Sequence, residues 1–365
     1  MKKLKNLHWF SPSFDHNEKN RLSSLIDSNF LNEGEITKKF EKKISNYLNV
    51  KYAIATTSGT TAISLALMSL GIGKGDEVII PSFTFLATAN AVTLIGADLK
   101  LVDIREDDLT INTKVIEKEI SKKTKAIVSV DVNGRSCDYK NLEKICKKFD
   151  LKLVCDSAEA LGSKFGGKFL GSYGDCGCFS FSAAKTISTG QGGLIVTNQR
   201  KIRNKIYELK DQGRKKRGTG GKDEHPGLGY NFKYTDLQAS VGLEQFKKMK
   251  NRITKFKKRD SLYRKHLFNT GLFLPKKNSE EVLQWFDIVF DSENQKNKVI
   301  MSLKKNKIGF REFWDPVNFH KYYKNLKCKG KINRKIAKTG IWLPSNFDIA
   351  SNEIEYISKI ILKNL

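Results

Sequence analysis

Between residues 52 and 156 short apolar runs alternate with longer amphipathic ones, and this alternation fixes the fold class. "KYAIATT", "DEVIIP", "LKLVD", "KAIVSV" and "LKLVCD" each have the length of one strand and are nearly all apolar. Between them lie "SGTTAISLALMSL", "TFLATANAVTLIG", "TKVIEKEI" and "YKNLEKICKKF", which read as helices. Strands apolar on both faces need cover on both faces, and strands alternating with helices pair in parallel through right-handed crossovers. The expected fold is α/β, a mostly parallel central sheet flanked by helices. The alternation then stops. "GCFSFS" and "GGLIVT" are two strands separated only by a loop, and that loop carries Lys185 among Ser, Ala, Thr and Gly.

From Thr235 to about Leu267 the spacing predicts one helical run, with Leu237, Val241, Phe246, Met249, Ile253 and Phe256 as its buried stripe. "LQWFDIVF", "NKVIMSLKKN", "IGFREF" and "NEIEYISKIILKNL" then predict a second, smaller α+β unit. The expected organisation is a segment 1–30 packing with the small domain, a large domain 31–247 and a small domain 248–365. The uncharged run Val78–Ala97 has the length of a membrane span. It contains Pro81 and several hydroxyl side chains, so it reads as strand, turn and helix. The apolar run at the N-terminus is too short for a signal peptide, and a soluble, cytoplasmic protein is expected. The six cysteines form no paired CxxC clusters and read as buried thiols, with no metal site. The formal charge of +27 invites a nucleic-acid reading. However, the lysines are spread over nearly every segment and no nucleic-acid-binding signature accompanies them. A field that draws in small anionic substrates fits better.

Three features fall at strand ends, where open α/β sheets bind ligands. "TTSGTTA" (56–62) leads from a strand into a helix and reads either as an ordinary N-cap or as a phosphate cradle on Gly59 and Thr60. Asp156, which ends "LKLVCD", reads as an N-cap or as a cofactor-facing acid. Lys185 is expected to have no acid to pair with it. Its small, uncharged neighbours favour the neutral amine through desolvation, which suits a Schiff-base lysine; the alternative is a surface lysine. An anion cradle, an acid for a ring nitrogen and an amine for an aldehyde together match pyridoxal phosphate (PLP).

The segments "FEKKISNYLNVKYAIATTSGTTA", "GDEVIIPSFTFLATANAV", "DSAEALGSKFGGKFLGSYGDCGCFSFSAAKTISTGQGGLIVT" and "GLGYNFKYTDLQASVGLEQF" resemble the fold-type-I, PLP-dependent nucleotide-sugar aminotransferases of the DegT/StrS group. The likeness fades toward the C-terminus. It implies that Lys185 carries the cofactor and shuttles protons, and that Asp156 pairs with the pyridine nitrogen. Gly59, Thr60, Thr61 and Ser180 would hold the phosphate, and Phe85 would stack on the ring. Glu159, near the ring's 3-hydroxyl, replaces the Gln or His common in the family and resembles the perosamine-synthase branch. Asn231 would reach the phosphate of a neighbouring subunit's cofactor, which implies a homodimer with shared sites. His320 is a candidate for substrate contact or a structural histidine.

The implied activity is transfer of an amino group from glutamate to a nucleotide-linked keto-sugar, with a 4-keto-6-deoxyhexose favoured, in surface-polysaccharide biosynthesis. Two alternatives are a sugar dehydratase using the amine form of the cofactor (PMP), which typically has His at the lysine position, and a non-catalytic regulator on the same fold. Asp131, Asn133 and Ser136 stand where the family has His, an aromatic residue and Pro. Lys233 and Tyr234 replace a common Arg-Met pair. These departures bear on the choice of sugar and nucleotide.

Overall fold

The structure, a computed structural model, describes residues 6–215 and 223–365; the first five residues of the expected N-terminal segment lie outside the described residues. Helices α1 (His16–Asp27) and α2 (Glu35–Leu48) come first. Strand β1 (Tyr52–Thr56), α3 (Gly59–Ser69), β2 (Glu77–Pro81), α4 (Leu86–Leu94), β3 (Asp98–Val102), α5 (Thr113–Glu119), β4 (Thr124–Val130), α6 (Tyr139–Phe149) and β5 (Lys152–Asp156) then alternate. A short hairpin of β6 (Lys164–Phe165) and β7 (Lys168–Phe169) precedes β8 (Cys176–Ser180) and β9 (Gly193–Thr197). Helices α7 (Arg200–Lys210), α8 (Asp236–Lys247) and α9 (Met249–Leu267) follow. The chain ends with β10 (Phe286–Val289), α10 (Glu293–Lys305), β11 (Arg311–Glu312), α11 (Ile332–Thr339), β12 (Gly340–Leu343) and α12 (Ser351–Leu362).

The large sheet has the order β1-β9-β8-β5-β4-β2-β3. Its neighbours pair in parallel from β8 across to β3, and β9 runs antiparallel to both β1 and β8. Alternation within each strand sends successive side chains to opposite faces. Val78 and Ile80 pack with α3, α4 and α7, whereas Ile79, Ile127 and Leu153 pack with α6. The mostly parallel α/β sheet is the one expected. Val78–Ala97 covers β2, a turn and α4, and no described helix is long and apolar enough to cross a membrane.

A second, antiparallel sheet has the order β10-β12-β11. Phe286, Ile288, Ile341 and Leu343 build its core with side chains of α9, α10 and α12. The N-terminal segment ties into this region: Leu7 exchanges backbone hydrogen bonds with Lys307 and Gly309, and Ser345 N–H donates to the Trp9 carbonyl. Trp9 and Phe10 pack into an aromatic cluster with Phe83, Trp285 and Trp342.

The single helix expected from Thr235 to Leu267 is two helices that meet at Lys248. Their buried sides face different partners. In α8, Gly242 lies against Phe40 of α2, where a Cβ would come within 2.8 Å of the ring. In α9, Tyr263 and Leu267 face the second sheet. The helical assignment is interrupted at Lys248, between the part that packs on α2 and the part that reaches the second sheet.

Candidate active site

The ends of β1, β2, β4, β5 and β8 open onto one cavity of about 320 Å³. Its far wall comes from Trp285, Arg311 and Trp314, in and beside the second sheet. This is the carboxyl edge of the parallel strands, where this architecture binds ligands.

Helix α3 points its N-terminus into the cavity. Ser58 caps it through a reciprocal box with Thr61: Thr61 N–H donates to Ser58 Oγ at 3.1 Å, and Ser58 N–H to Thr61 Oγ1 at 3.0 Å. The Gly59 and Thr60 N–H groups have no acceptor among the described residues. Ser180 and Ser182 add hydroxyls to the same lining. Close packing requires the glycines here. A Cβ on Gly59 would meet Ser180 Cβ at 3.0 Å, and one on Gly193 would lie 2.0 Å from the Ser58 carbonyl oxygen. Free N–H groups at a helix N-terminus beside serine hydroxyls make an anion cradle.

Asp156 ends β5, buried. Its Oδ2 accepts from Thr88 Oγ1 at 2.7 Å and its Oδ1 from Ala158 N–H at 3.2 Å. Burial pushes its carboxyl above the usual range, against the opposing effect of those hydrogen bonds and of Lys185. No cation among the described residues lies within ion-pair distance of it. A carboxylate in this setting gains from a cationic or proton-bearing partner.

Lys185 is the one lysine in the cavity lining. Its Nζ donates to Glu159 Oε1 at 3.2 Å and lies 5.5 Å from the centre of the Trp285 ring. This overturns the expectation of a lysine without an acid. Glu159 stands 26 positions earlier and reaches Lys185 only in the folded chain, its other oxygen held by Asn133 N–H at 2.8 Å. The amine therefore sits beside a hydrogen-bonding carboxylate, and its surroundings are not uniformly uncharged.

Gly59, Thr60, Phe85, Asp156, Glu159, Ser180 and Lys185 all line the cavity. Phe85, at 51% exposure, stands 5.9 Å from the Trp314 ring. Thr61, Asn231 and His320 do not line it. The Thr61 hydroxyl is committed to the α3 cap, Asn231 is exposed in a bridge to Asp211, and His320 lies between two short 3-10 turns. The departures from the family pattern are mostly structural partners. Asp131 accepts from Tyr139 and Ser157 hydroxyls, and Asn133 grips Trp285 and Asp287. Ser136 donates to Glu281, Lys233 pairs with Asp211, and Tyr234 donates to Thr189. The sequence reading missed Thr88, Trp285, Arg311 and Trp314. Thr88 lies one turn beyond Thr84 on α4, a spacing that could have pointed to it; the other three come from the region where the resemblance fades.

PLP carries a phosphate, a ring nitrogen and an aldehyde. The cavity offers an anion cradle, a buried carboxylate without a cation and a single primary amine, so the residues fit the cofactor. Comparison with known proteins agrees. Residues 12–362 match the DegT/DnrJ/EryC1/StrS aminotransferase family. A GDP-perosamine synthase of Vibrio cholerae is 31% identical, over 96% of this chain and 97% of its own. Among solved structures, Helicobacter pylori PseC, an aminotransferase involved in pseudoaminic acid biosynthesis, superposes with a TM-score of 0.92 at 27% identity, covering 99% of both chains. A putative sugar aminotransferase of Streptococcus pneumoniae in its PMP form does so with a TM-score of 0.92 at 25% identity, covering 99% of this chain and 98% of its own. The chain belongs to the DegT/DnrJ/EryC1/StrS aminotransferase family and is a PLP-dependent sugar aminotransferase of nucleotide-sugar metabolism.

Proposed function

We propose that this enzyme moves an amino group from L-glutamate to a GDP-linked 4-keto-6-deoxyhexose, forming a perosamine-type sugar for surface polysaccharide, in the cytoplasm. The observation that carries the reaction type is Lys185, a lone cavity amine 3.2 Å from a carboxylate. The choice of sugar and nucleotide leans on the similarity to the Vibrio enzyme, which spans nearly the whole chain.

PLP, when bound, supplies a carbonyl for amine exchange and a ring that withdraws electrons. The α3 N-terminus with Ser180 anchors its phosphate. Asp156 holds a proton at the ring nitrogen, because a buried carboxylate is best satisfied by a cationic neighbour. Lys185 Nζ takes the proton from the donor's α-carbon and returns it at the adjacent position, acting as base and then acid. Glu159 Oε1 accepts a hydrogen bond from Nζ and orients the amine. Phe85 and the buried Trp285 wall the reacting centre from water. A second copy belongs to the proposal: Asn231, exposed and outside this cavity, serves the partner's phosphate in a homodimer. His320 takes no part in it.

The test is a panel of GDP-, UDP- and dTDP-linked 4-keto and 3-keto sugars. Each is offered to enzyme whose visible absorbance has first been bleached with L-glutamate. Absorbance is expected to return with the GDP-linked 4-keto sugar. Return with 3-keto sugars alone would remove the substrate assignment and leave the aminotransferase assignment standing.

A further inference from the structure

Asn133, buried in the turn after β4, commits every polar group it has to the two segments that touch Lys185. Its main-chain N–H donates to Glu159 Oε2 at 2.8 Å, and Glu159 Oε1 in turn accepts from Lys185 Nζ. Its carbonyl accepts from Gln284 N–H at 3.2 Å. Its carboxamide closes on Trp285: Oδ1 accepts from the Trp285 N–H and Nδ2 donates to the Trp285 carbonyl, both at 2.8 Å. One side chain thus stands in for a neighbouring strand at the residue just before β10. Nδ2 also donates to Asp287 Oδ2 at 2.9 Å, and Arg135 clamps that carboxylate with two bonds of 2.7 Å. The backbone of Asn133 is left-handed, at φ 56°, a conformation that asparagine tolerates better than most residues.

Trp285 needs such an anchor. Its ring centre lies 5.5 Å from Lys185 Nζ, within the range in which an indole face attracts an ammonium. Its own indole N–H has no partner among the described residues, so the ring is aimed by its main chain and by packing on Trp9 and Trp342. We propose that Asn133 is a positioning residue for the transfer reaction. It holds the Trp285 indole against the Lys185 side chain and so limits where that flexible arm can place its amine. The inference rests on the reading of Lys185 as the lysine that carries the cofactor.

Asn133→Gly removes the carboxamide and keeps the turn, because glycine adopts positive φ freely. It is compared with wild type, Trp285→Ala and the double variant. Cofactor-stripped protein is mixed with PLP, and absorbance follows the rate at which the amine captures the aldehyde, with loss of water. Borohydride reduction and peptide mapping locate the adduct, and urea midpoints report stability separately. Asn133→Gly is expected to slow capture roughly tenfold in the wild-type background and less than about twofold in Trp285→Ala, since a ring that is absent cannot be misplaced. In the holoenzyme the bleaching rate at saturating L-glutamate should fall by the same factor, with the half-maximal concentration within about twofold. The urea midpoint should fall in both backgrounds, because Trp285→Ala leaves the main-chain groups that Asn133 holds. Asn133→Asp keeps the acceptor and loses the donor; it should slow capture roughly threefold, with the same dependence on Trp285, and carries the test if the glycine variant does not fold. Equal slowing in both backgrounds would route the effect through Gln284, whose side chain donates to the Ala184 carbonyl, and would overturn the proposal. Unchanged capture would overturn it too. An adduct mapped away from Lys185 would remove the reading of that lysine and the proposal with it.

Discussion

Asp131 is buried at the end of β4, where Tyr139 and Ser157 donate to its carboxyl oxygens. Burial pushes this carboxyl up to about 7, against the opposing effect of those hydrogen bonds. An unfolded Asp titrates near 3.9, so the folded chain binds this proton more tightly than the unfolded one. The resulting stability is fully present below about pH 4 and is lost as pH rises through about 7. Asp131→Asn cannot ionise and should gain on wild type across that window, by up to about 4 kcal/mol. Urea denaturation of both proteins at about pH 5 and about pH 8 reads this directly. An equal gap at both pH values would show that native Asp131 does not hold the proton. At this scale the sequence disclosed Lys185 and Asp156 through their small or apolar neighbours. It hid the Lys185–Glu159 pair, because the two meet only when the turn after β5 and the loop after β8 come to one edge.

The α3 N-terminus was legible because a strand, a glycine and hydroxyl residues followed by an apolar helix leave few other arrangements. What holds it in place was less so. Gly193, the first residue of β9, lies so close to the Ser58 carbonyl that a Cβ would sit 2.0 Å from that oxygen and 2.9 Å from Gly59 N. Gly193→Ala must therefore shift the turn that presents the cradle. Overpacking of this kind costs about 1–3 kcal/mol, and PLP retention on dialysis should fall roughly tenfold if a comparable share of that cost appears as lost affinity. Undiminished retention would separate the cradle from phosphate binding. The break at Lys248 was not legible, because both helices carry stripes of similar spacing. Their different partners, α2 on one side and the second sheet on the other, appear only in the folded chain.

At the scale of the whole molecule, the cavity lies between two sheets of unlike character. The large parallel sheet supplies the cradle, Asp156, Glu159 and Lys185, all on segments whose periodicity or motif was readable. The region of the second sheet supplies Trp285, Arg311 and Trp314, and an aromatic cluster that includes Phe10, Phe83, Trp285 and Trp342 fastens the two together. Trp285, Arg311 and Trp314 lie more than a hundred positions beyond β5, in or beside short strands with no motif around them, so only the folded chain brings them to the site. The formal charge is +27, with lysines in nearly every segment, and recognition rests on local geometry inside the cavity. The proposed reaction depends most on Lys185 being the residue that carries the cofactor. Borohydride treatment of the purified protein, then proteolysis and mass spectrometry, identifies the side chain joined to the cofactor's carbonyl carbon. The reduced cofactor is expected on the peptide containing Lys185 and nowhere else; attachment at another lysine, or none in protein that still transfers amino groups, would rule out Lys185 as the carrier.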